Sequence, residues 1–479
     1  MVFLSKFSPF SHNERSALTN ILPLCFISFF LACNYFILKT LKDSLLVTAE
    51  GAGAEALPFV KMWVLFPSSV IFVAAFTWIS TRFSIRAGFT TTIIFFLFSY
   101  ALFAFVLYPL GNTIHLHNTA DQLEAYLPAG WRGLAAVVRY WSYTFYYVTA
   151  ECWCSMVYSV VFWGFANEVT KLQDARRYYP LLTLAGTIAA LCAGPFAIFL
   201  STSPLIEQLP YGTNSWEKTF YTLTGVVLIC GCAALFFFLR FCHFPQNQFH
   251  FHTQKTQNKK SFKQLFQSKY LLVLATIAFS YNMMINLTEV LWKNEVLKLY
   301  PQPNEFNAYL SYVTMITGIV SMFFTLFLSQ SLLKRLGWTL TAMITPIIAL
   351  VTGFFFFAAL FLEWYGWLHN ALSITAFLGS IHICLSCSGK YTLFEPAKEM
   401  AFIPLNSDEK LRGKAAIDGV GTRLGKTGSA MLYQTLLMVF PTVTYCTPFI
   451  AVAILGMIGI CMGGIRFLGK EVEAHTQPA

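Results

Sequence analysis

Twelve stretches of this chain run for about 22 residues each with hardly a charge, and no other feature restricts the fold as much. They fall at about 21–38, 57–79, 87–110, 134–165, 181–200 and 220–241, then at 271–292, 308–333, 338–361, 372–394, 415–440 and 448–467. About 20 apolar residues in a helix cross a hydrocarbon core about 30 Å thick. A helix also satisfies its own backbone hydrogen bonds, which lipid cannot do. The pattern therefore predicts an all-α polytopic membrane protein with twelve transmembrane helices. Composition agrees: 11% of the 479 residues are charged and 56% hydrophobic, whereas a soluble chain carries about 25% charge. A soluble enzyme, a disordered chain and a secreted disulfide scaffold are excluded on that ground. The run at 134–165 would make a helix of about 48 Å, read as one helix projecting into the cytosol.

The chain divides into a cytoplasmic N-terminal segment (1–20), a six-helix half (21–241), a basic central loop (242–270), a second six-helix half (271–467) and a cytoplasmic tail (468–479). Met1 to Asn20 is polar and is followed by a run long enough to span, so no cleavable signal is read there. The net charge of +10 is mostly topological. With the N-terminus inside, 22 Lys and Arg fall in cytoplasmic segments, Lys390 and Lys398 among them, and only Arg132, Lys218, Lys293 and Lys298 fall outside. The positive-inside rule then sets both termini in the cytoplasm. The basic stretch 254–269 reads as orientation signal and lipid headgroup contact rather than a nucleic-acid patch. Two six-helix halves joined by a long loop have the layout of major-facilitator transporters, whose site lies between the halves at the midplane.

Six cations remain within or at the edges of the apolar runs: Lys39, Lys42, Lys61, Arg139, Arg423 and Lys426. An intramembrane charge costs about 2.5–3.5 kcal/mol or more at a helix centre, so such residues mark function. Lys61, near the end of its run, is set aside as a side chain that snorkels. The others fall into stripes at helical spacing. Arg139, Tyr143, Tyr147 and Glu151 recur every four residues on the fourth run. Asn282, Asn286, Glu289 and Lys293 do so on the seventh, Asp418, Thr422 and Lys426 on the eleventh with Arg423 beside them, and Asn34, Leu38 and Lys42 on the first with Lys39 close by. Any one stripe can be an interhelical ion pair. Four together suit a cavity that holds a polyanion: Lys39, Lys42, Arg139, Arg423 and Lys426 to neutralise phosphates, and Tyr143, Tyr146 or Tyr147 to stack an aromatic base. Periodicity alone admits other organic anions. His382 on the tenth run, with Ser386 and Lys390 on its face, reads as a packed histidine or a proton relay.

No cofactor or metal is called for. The twelve cysteines have no His or carboxylate at zinc-ligand spacing and read as small hydrophobes. The glycines at 51–54 and 463–464 lack the context of a phosphate-binding loop, which argues against ATP hydrolysis.

At these stripes the sequence resembles a known family. Asn34-Tyr35-Phe36-Ile37-Leu38-Lys39-Thr40-Leu41-Lys42-Asp43 and Gly53-Ala54-Glu55-Ala56-Leu57-Pro58-Phe59 resemble the opening signature of the plastid and intracellular-bacterial ATP/ADP translocases. Phe162-Trp163-Gly164-Phe165-Ala166-Asn167-Glu168, Asn286-Leu287-Thr288-Glu289-Val290-Leu291-Trp292-Lys293 and Arg423-Leu424-Gly425-Lys426-Thr427-Gly428 are similar to later signatures, in order along nearly the whole chain. The resemblance implies exchange of external ATP for internal ADP across a bacterial inner membrane, with Lys42, Glu151, Glu289 and Lys426 at the family's required charged positions. It implies a secondary transporter, not an enzyme, whose partners are a nucleotide and the bilayer, acting as a monomer. Glu151, Glu289 and Asp418 are expected to pair with the cations when the site is empty. Lys39-Thr40 stands where the family usually has an Arg-Asp pair, and Cys152-Trp153-Cys154 where it has Leu-Trp-Gly. These departures leave proton-coupled import of nucleoside triphosphates and NAD/ADP exchange as alternatives on the same scaffold. An organic-anion or peptide carrier, and a membrane-embedded transferase, are the more distant ones.

Overall fold

The computed structural model describes residues 12–170, 172–242, 268–367, 370–402, 405, 417 and 422–476, without the side chains of 12–20, 81, 85, 167–168, 172–177, 180, 242, 329–334, 422–423 and 473–476. All regular structure among the described residues is helical. Eleven helices are long and apolar enough to cross a membrane. In chain order the elements are α1 (Ile21–Val47), α2 (Ala56–Ser80) and α3 (Arg86–Leu107). Two short helices follow, α4 (His117–Tyr126) and α5 (Arg132–Arg139). Then come α6 (Trp141–Ala166), α7 (Leu181–Thr202), α8 (Ser215–Phe241), α9 (Lys269–Leu299), α10 (Pro303–Leu328), α11 (Arg335–Trp364) and α12 (Ala371–Ala401). The sequence's eleventh run is represented by α13 (Thr422–Leu437), and α14 (Val443–Val472) ends the series.

Side chains in the middle of spans face outward. Phe105, Ile229, Phe354 and Val452 are 69–71% exposed. Apolar residues exposed along the whole length of such helices face hydrocarbon rather than water. The chain is a multi-pass membrane protein.

One expectation fails. The fourth run is not a single long helix: Tyr140, at φ −100° and ψ 48°, ends α5, and the membrane pass is α6 alone. The extra length lies in a separate short helix.

The chain forms two compact units, each assembled from three segments. The first unites 1–42, 70–110 and 149–255. Its core is aromatic: Phe89 stacks on Phe238 with ring centroids 3.9 Å apart, and Phe165 meets Phe238 edge-on at 4.8 Å. Buried polar side chains pin α1 to its neighbours. Asn34 Nδ2 donates to the Val227 carbonyl of α8 (2.9 Å), Ser28 Oγ to Leu182 of α7 (2.9 Å), and Trp153 Nε1 of α6 to Leu31 (3.3 Å). Each bond satisfies a group that lipid would leave unpaired.

The second unit unites 43–69, 111–148 and 256–479. Its central element is α9, which packs against α12, α13 and α14. Tyr281 stacks on Phe394 (4.6 Å) while its hydroxyl donates to the Ser386 carbonyl (2.9 Å), and Tyr433 Oη donates to the Leu287 carbonyl (2.5 Å). At Gly425 a Cβ would lie 2.8 Å from that of Asn282, so α13 reaches α9 there because the residue is glycine.

Segments 43–69 and 111–148 are tied onto these helices within the same unit. The Val443 amide donates to Glu55 Oε1 (3.2 Å), Gln434 Nε2 to the Pro58 carbonyl (3.1 Å), and Trp63 Nε1 to Gln434 Oε1 (3.2 Å). Gly130 lies so close to the last turn of α13 that a Cβ would meet the carbonyls of Leu437 and Phe440.

Candidate functional site

In the first unit the site begins at Lys42 near the end of α1. Its side chain is 4% exposed, and Nζ lies 3.2 Å from Glu151 Oε2 on α6. Glu151 lies two residues before a ten-residue π-helical stretch, Trp153–Phe162, whose altered register is a common feature of functional sites in helices. Lys39 is half-buried one turn before Lys42. Asn34, further back on that face, spends its amide on Val227.

The residue after Lys42 belongs to the second unit and has a different partner. Asp43 Oδ2 accepts from Lys293 Nζ at 2.8 Å, both side chains being 3% exposed. Lys293 also reaches Glu289 Oε1 (2.7 Å), and Glu289 Oε2 meets Lys61 Nζ (3.2 Å). Lys61 in turn donates to Asn286 Oδ1 (3.1 Å). Asp43, Lys293, Glu289 and Lys61 thus form one chain of alternating charge. Beside it Ser44 Oγ donates to Asn307 Oδ1 (3.3 Å). Two sequence readings are corrected here. Lys293 is not a loop charge but is buried, and Lys61, 6% exposed within a π-helical turn (Val60–Leu65), does not snorkel. Both ended up outside the candidate set because they lie near run ends, where charge is cheap. Asp43 was hidden beside Lys42.

Further along α9, Asn282 Oδ1 accepts from Lys390 Nζ (2.7 Å), and Asn282 and Asn286 spend their amides on the Ala278 and Asn282 carbonyls (2.8 Å each). Lys390 was counted as a cytoplasmic charge. It stands instead inside α12 at the head of a π-helical turn (Lys390–Phe394), under the electrostatic influence of Lys426, Lys398 and Glu395. Lys398 is paired with Glu395. Lys426 is half-buried on α13, one residue after the close approach of Gly425 to Asn282. Lysines 390 and 426 with Asn282 therefore make a cationic, amide-lined group in the second unit.

The tyrosines and Arg139 are placed differently from the stripe that periodicity suggests. Arg139 ends α5 and pairs with Asp121 (2.7 Å) and Glu124 (3.0 Å) on α4. The break at Tyr140 removes it from the face of Tyr143, Tyr147 and Glu151. Tyr143 is half-buried, its ring stacked on Tyr140 (5.5 Å) and edge-on to His115 (4.9 Å). Tyr146 and Tyr147 are fully buried. His115, outside the spans, is held neutral by burial with help from His117, its pKa pushed down to about 4. His382 is buried on α12, bonded to Thr352 (2.8 Å). Asp418 lies outside the described residues, as do the side chains of Thr422 and Arg423.

Buried lysines each held by a displaceable carboxylate or amide are what a carrier of anions needs. The family model described as TLC ATP/ADP transporter matches residues 3–472. The chain belongs to that family. A Chlamydia trachomatis ADP,ATP carrier protein 2 is 37% identical over 97% of this chain and 90% of its own length. The chloroplastic ADP,ATP carrier protein 2 of Arabidopsis thaliana is 37% identical over 95% of this chain and 75% of its own. Among solved structures, a bacterial homologue of the iron transporter ferroportin superposes with TM-score 0.61 at 14% identity, over 96% of this chain and 100% of that one. A D-xylose-proton symporter gives 0.57 at 15%, over 96% and 98%. At such identities they speak for the fold alone, which is that of major-facilitator-like transporters. As a member of the TLC ATP/ADP transporter family, this chain is a transporter and not an enzyme.

Proposed function

We propose that the chain exchanges ATP for ADP across a bacterial cell membrane by alternating access, as a monomer with both termini in the cytoplasm. Membership of the TLC ATP/ADP transporter family over residues 3–472 carries this reading. The count of 22 inner against 4 outer cations supports the orientation, and moving the buried Lys293 and Lys398 and the half-buried Lys390 out of the loop tally leaves the asymmetry standing.

Lys42, Lys390 and Lys426 are the phosphate-binding lysines. Lys42 keeps Glu151 and Lys390 keeps Asn282 as a local acceptor when substrate leaves. A nucleotide's terminal phosphates then replace those acceptors, an exchange of one charge-assisted bond for another with little net cost. Of the aromatic candidates, Tyr143 is the one whose ring is partly open, and it stacks the base after parting from Tyr140. Arg139 steadies α4 and α5 rather than the phosphates.

In this orientation the Asp43–Lys293–Glu289–Lys61 chain lies toward the outer face and must part for external nucleotide to enter. It acts as the outer gate, with Gly130 and the Glu55–Val443 contact sealing the rim. Two six-helix halves rocking about the site provide the motion.

The test is uptake of labelled ATP by cells loaded with ADP or left unloaded, with and without an uncoupler. The reading requires uptake that depends on internal ADP and survives the uncoupler. Uptake that ignores ADP and collapses with the uncoupler would establish proton-coupled import instead, and preferential uptake of NAD would establish the dinucleotide branch.

A further inference from the structure

The described charges of the nucleotide site leave one buried titratable group without a role. His382, in the middle of α12, is 1% exposed. Its Nδ1 lies 2.8 Å from Thr352 Oγ1 on α11, and that hydroxyl also lies 2.7 Å from the Ile348 carbonyl. A carbonyl can only accept, so the single hydroxyl proton goes to Ile348 and Thr352 Oγ1 receives a proton from Nδ1. Nδ1 is thus the donor, and in the neutral ring Nε2 carries a bare lone pair. Nε2 has no hydrogen-bond partner among the described residues, and neither has Ser386 Oγ, fully buried one turn along the same face. Phe356 lies parallel to the ring (6.3 Å), and Gly353 packs on its Cε1–Nδ1 edge, where a Cβ would stand 3.4 Å from Cε1.

We propose that His382 Nε2 and Ser386 Oγ form a proton-binding site within the bilayer. One water donates to Nε2 and accepts from the Ser386 hydroxyl. A hydronium arriving at that position gives its proton to Nε2 and remains as the water, and His382 becomes an imidazolium with no other bond made or broken.

The surroundings define what the charge would act on. From α11 the ring faces Thr352, Gly353 and Phe356, none of them titratable in the working range. From α9 Tyr281 reaches α12, its hydroxyl committed to the Ser386 carbonyl, and from α10 Tyr309 does so at Ser380. On α12 itself Cys384 and Cys387 are neighbours in sequence. Lys390 lies two turns along the face of His382 and Ser386, about 12 Å away at 1.5 Å per residue, where it holds Asn282. No charged side chain among the described residues acts electrostatically on His382, so its proton adds an uncompensated positive charge at the end of the seam that leads to Lys390. That charge favours a bound polyanion. The consequence for affinity rests on the placing of phosphates at Lys390, whereas the protonation itself does not.

Free histidine changes charge between about pH 5 and 8, and burial without a counter-charge disfavours the imidazolium. Exchange is therefore measured in proteoliposomes with equal pH on both sides, from about pH 7.5 down to about pH 4. Nucleotide phosphates titrate near pH 6 as well, so the quantity read is KM of wild type relative to His382→Gln. The expected result is a several-fold fall in wild-type KM beyond that of the variant on acidification, with Ser386→Ala between the two. Parallel curves for wild type and His382→Gln would overturn the proposal. A second arm uses ¹⁵N-histidine NMR, with His382 retained alone of the nine histidines. The signal must show protonated Nδ1 and bare Nε2 at neutral pH and a doubly protonated ring in acid; a ring that stays singly protonated throughout also overturns it. Absence of saturable nucleotide uptake at any pH would defeat the nucleotide reading instead, and the NMR arm would still decide the protonation.

Discussion

Lys42 and Asp43 are neighbours in sequence, about 100° apart around one helix, and they enter two different charge arrangements. Lys42 is bonded to Glu151 within the first unit. Asp43 ends a four-membered chain in the second, in which Lys293 has two acceptors and Glu289 two donors. Removing one partner of a buried pair leaves an uncompensated charge and costs about 3–5 kcal/mol. The chain tolerates the loss of Glu289 better than that of Lys293, because Lys61 keeps Asn286 and Lys293 keeps Asp43. The pair suits a site that must be remade by substrate in each cycle, and the chain suits a gate that must close reliably.

The largest effect is expected at the pair. Lys42→Ala removes a charge-assisted contact to phosphate worth about 1.5–3 kcal/mol and takes away the Lys42–Glu151 ion pair, so exchange falls by tens- to about a hundred-fold while membrane insertion, followed by surface labelling, is unchanged. Retained exchange would take Lys42 out of the site. Next comes Lys293→Ala, which removes the Asp43–Lys293 ion pair. Thermal unfolding in detergent is expected at a clearly lower temperature, and the swap Asp43→Lys with Lys293→Asp is expected to recover most of the loss. Failure of the swap to recover anything would mean that backbone packing, and not the ion pair, holds this end of α1.

A milder change is predicted for Glu289→Gln. Lys61 keeps Asn286 and Lys293 keeps Asp43, so stability drops less than for Lys293→Ala, while exchange slows because the gate closes less often. An equal loss of stability would contradict the redundancy of the chain. Arg139→Ala comes lower still, since Asp121 is 61% exposed and such pairs contribute about 0–1 kcal/mol. The smallest effect is one of pH. His115 titrates at about 4 in the folded protein against 6.5 for the ordinary side chain. Its contribution to stability is thus complete above about pH 6.5 and is lost as pH falls toward 4. Exchange protection of the Leu116 amide, bonded to the Arg139 carbonyl (3.2 Å), should weaken in that window, and His115→Asn should remove the pH dependence.

Much of the fold was legible because lipid imposes one rule: a long apolar run must be a helix. The site was legible only where a charge interrupts such a run, as at Lys42, Glu151, Glu289 and Lys426. Lys293, although on the stripe of the seventh run, and Lys390, on the face of His382, also count as loop cations because they lie near the ends of runs, where charge asymmetry between loops explains a lysine equally well. Only packing distinguishes a buried terminal lysine from a headgroup contact. Arg139 was misread for the opposite reason. Neither glycine nor proline marks the break at Tyr140, so helical periodicity carries a reader straight through it. The family signatures located Lys42, Glu151, Glu289 and Lys426 independently of these difficulties, and they did not single out Asp43, whose partner lies 250 residues away.

The central claim is strict counter-exchange through the intramembrane lysines. Purified protein in liposomes loaded with labelled ADP tests it most directly. The account predicts that label stays inside until external ATP is added, then leaves one for one with the ATP taken up, and that Lys42→Ala and Lys426→Ala slow both movements together. Label escaping without external nucleotide, or ATP accumulating in vesicles that contain none, would contradict it.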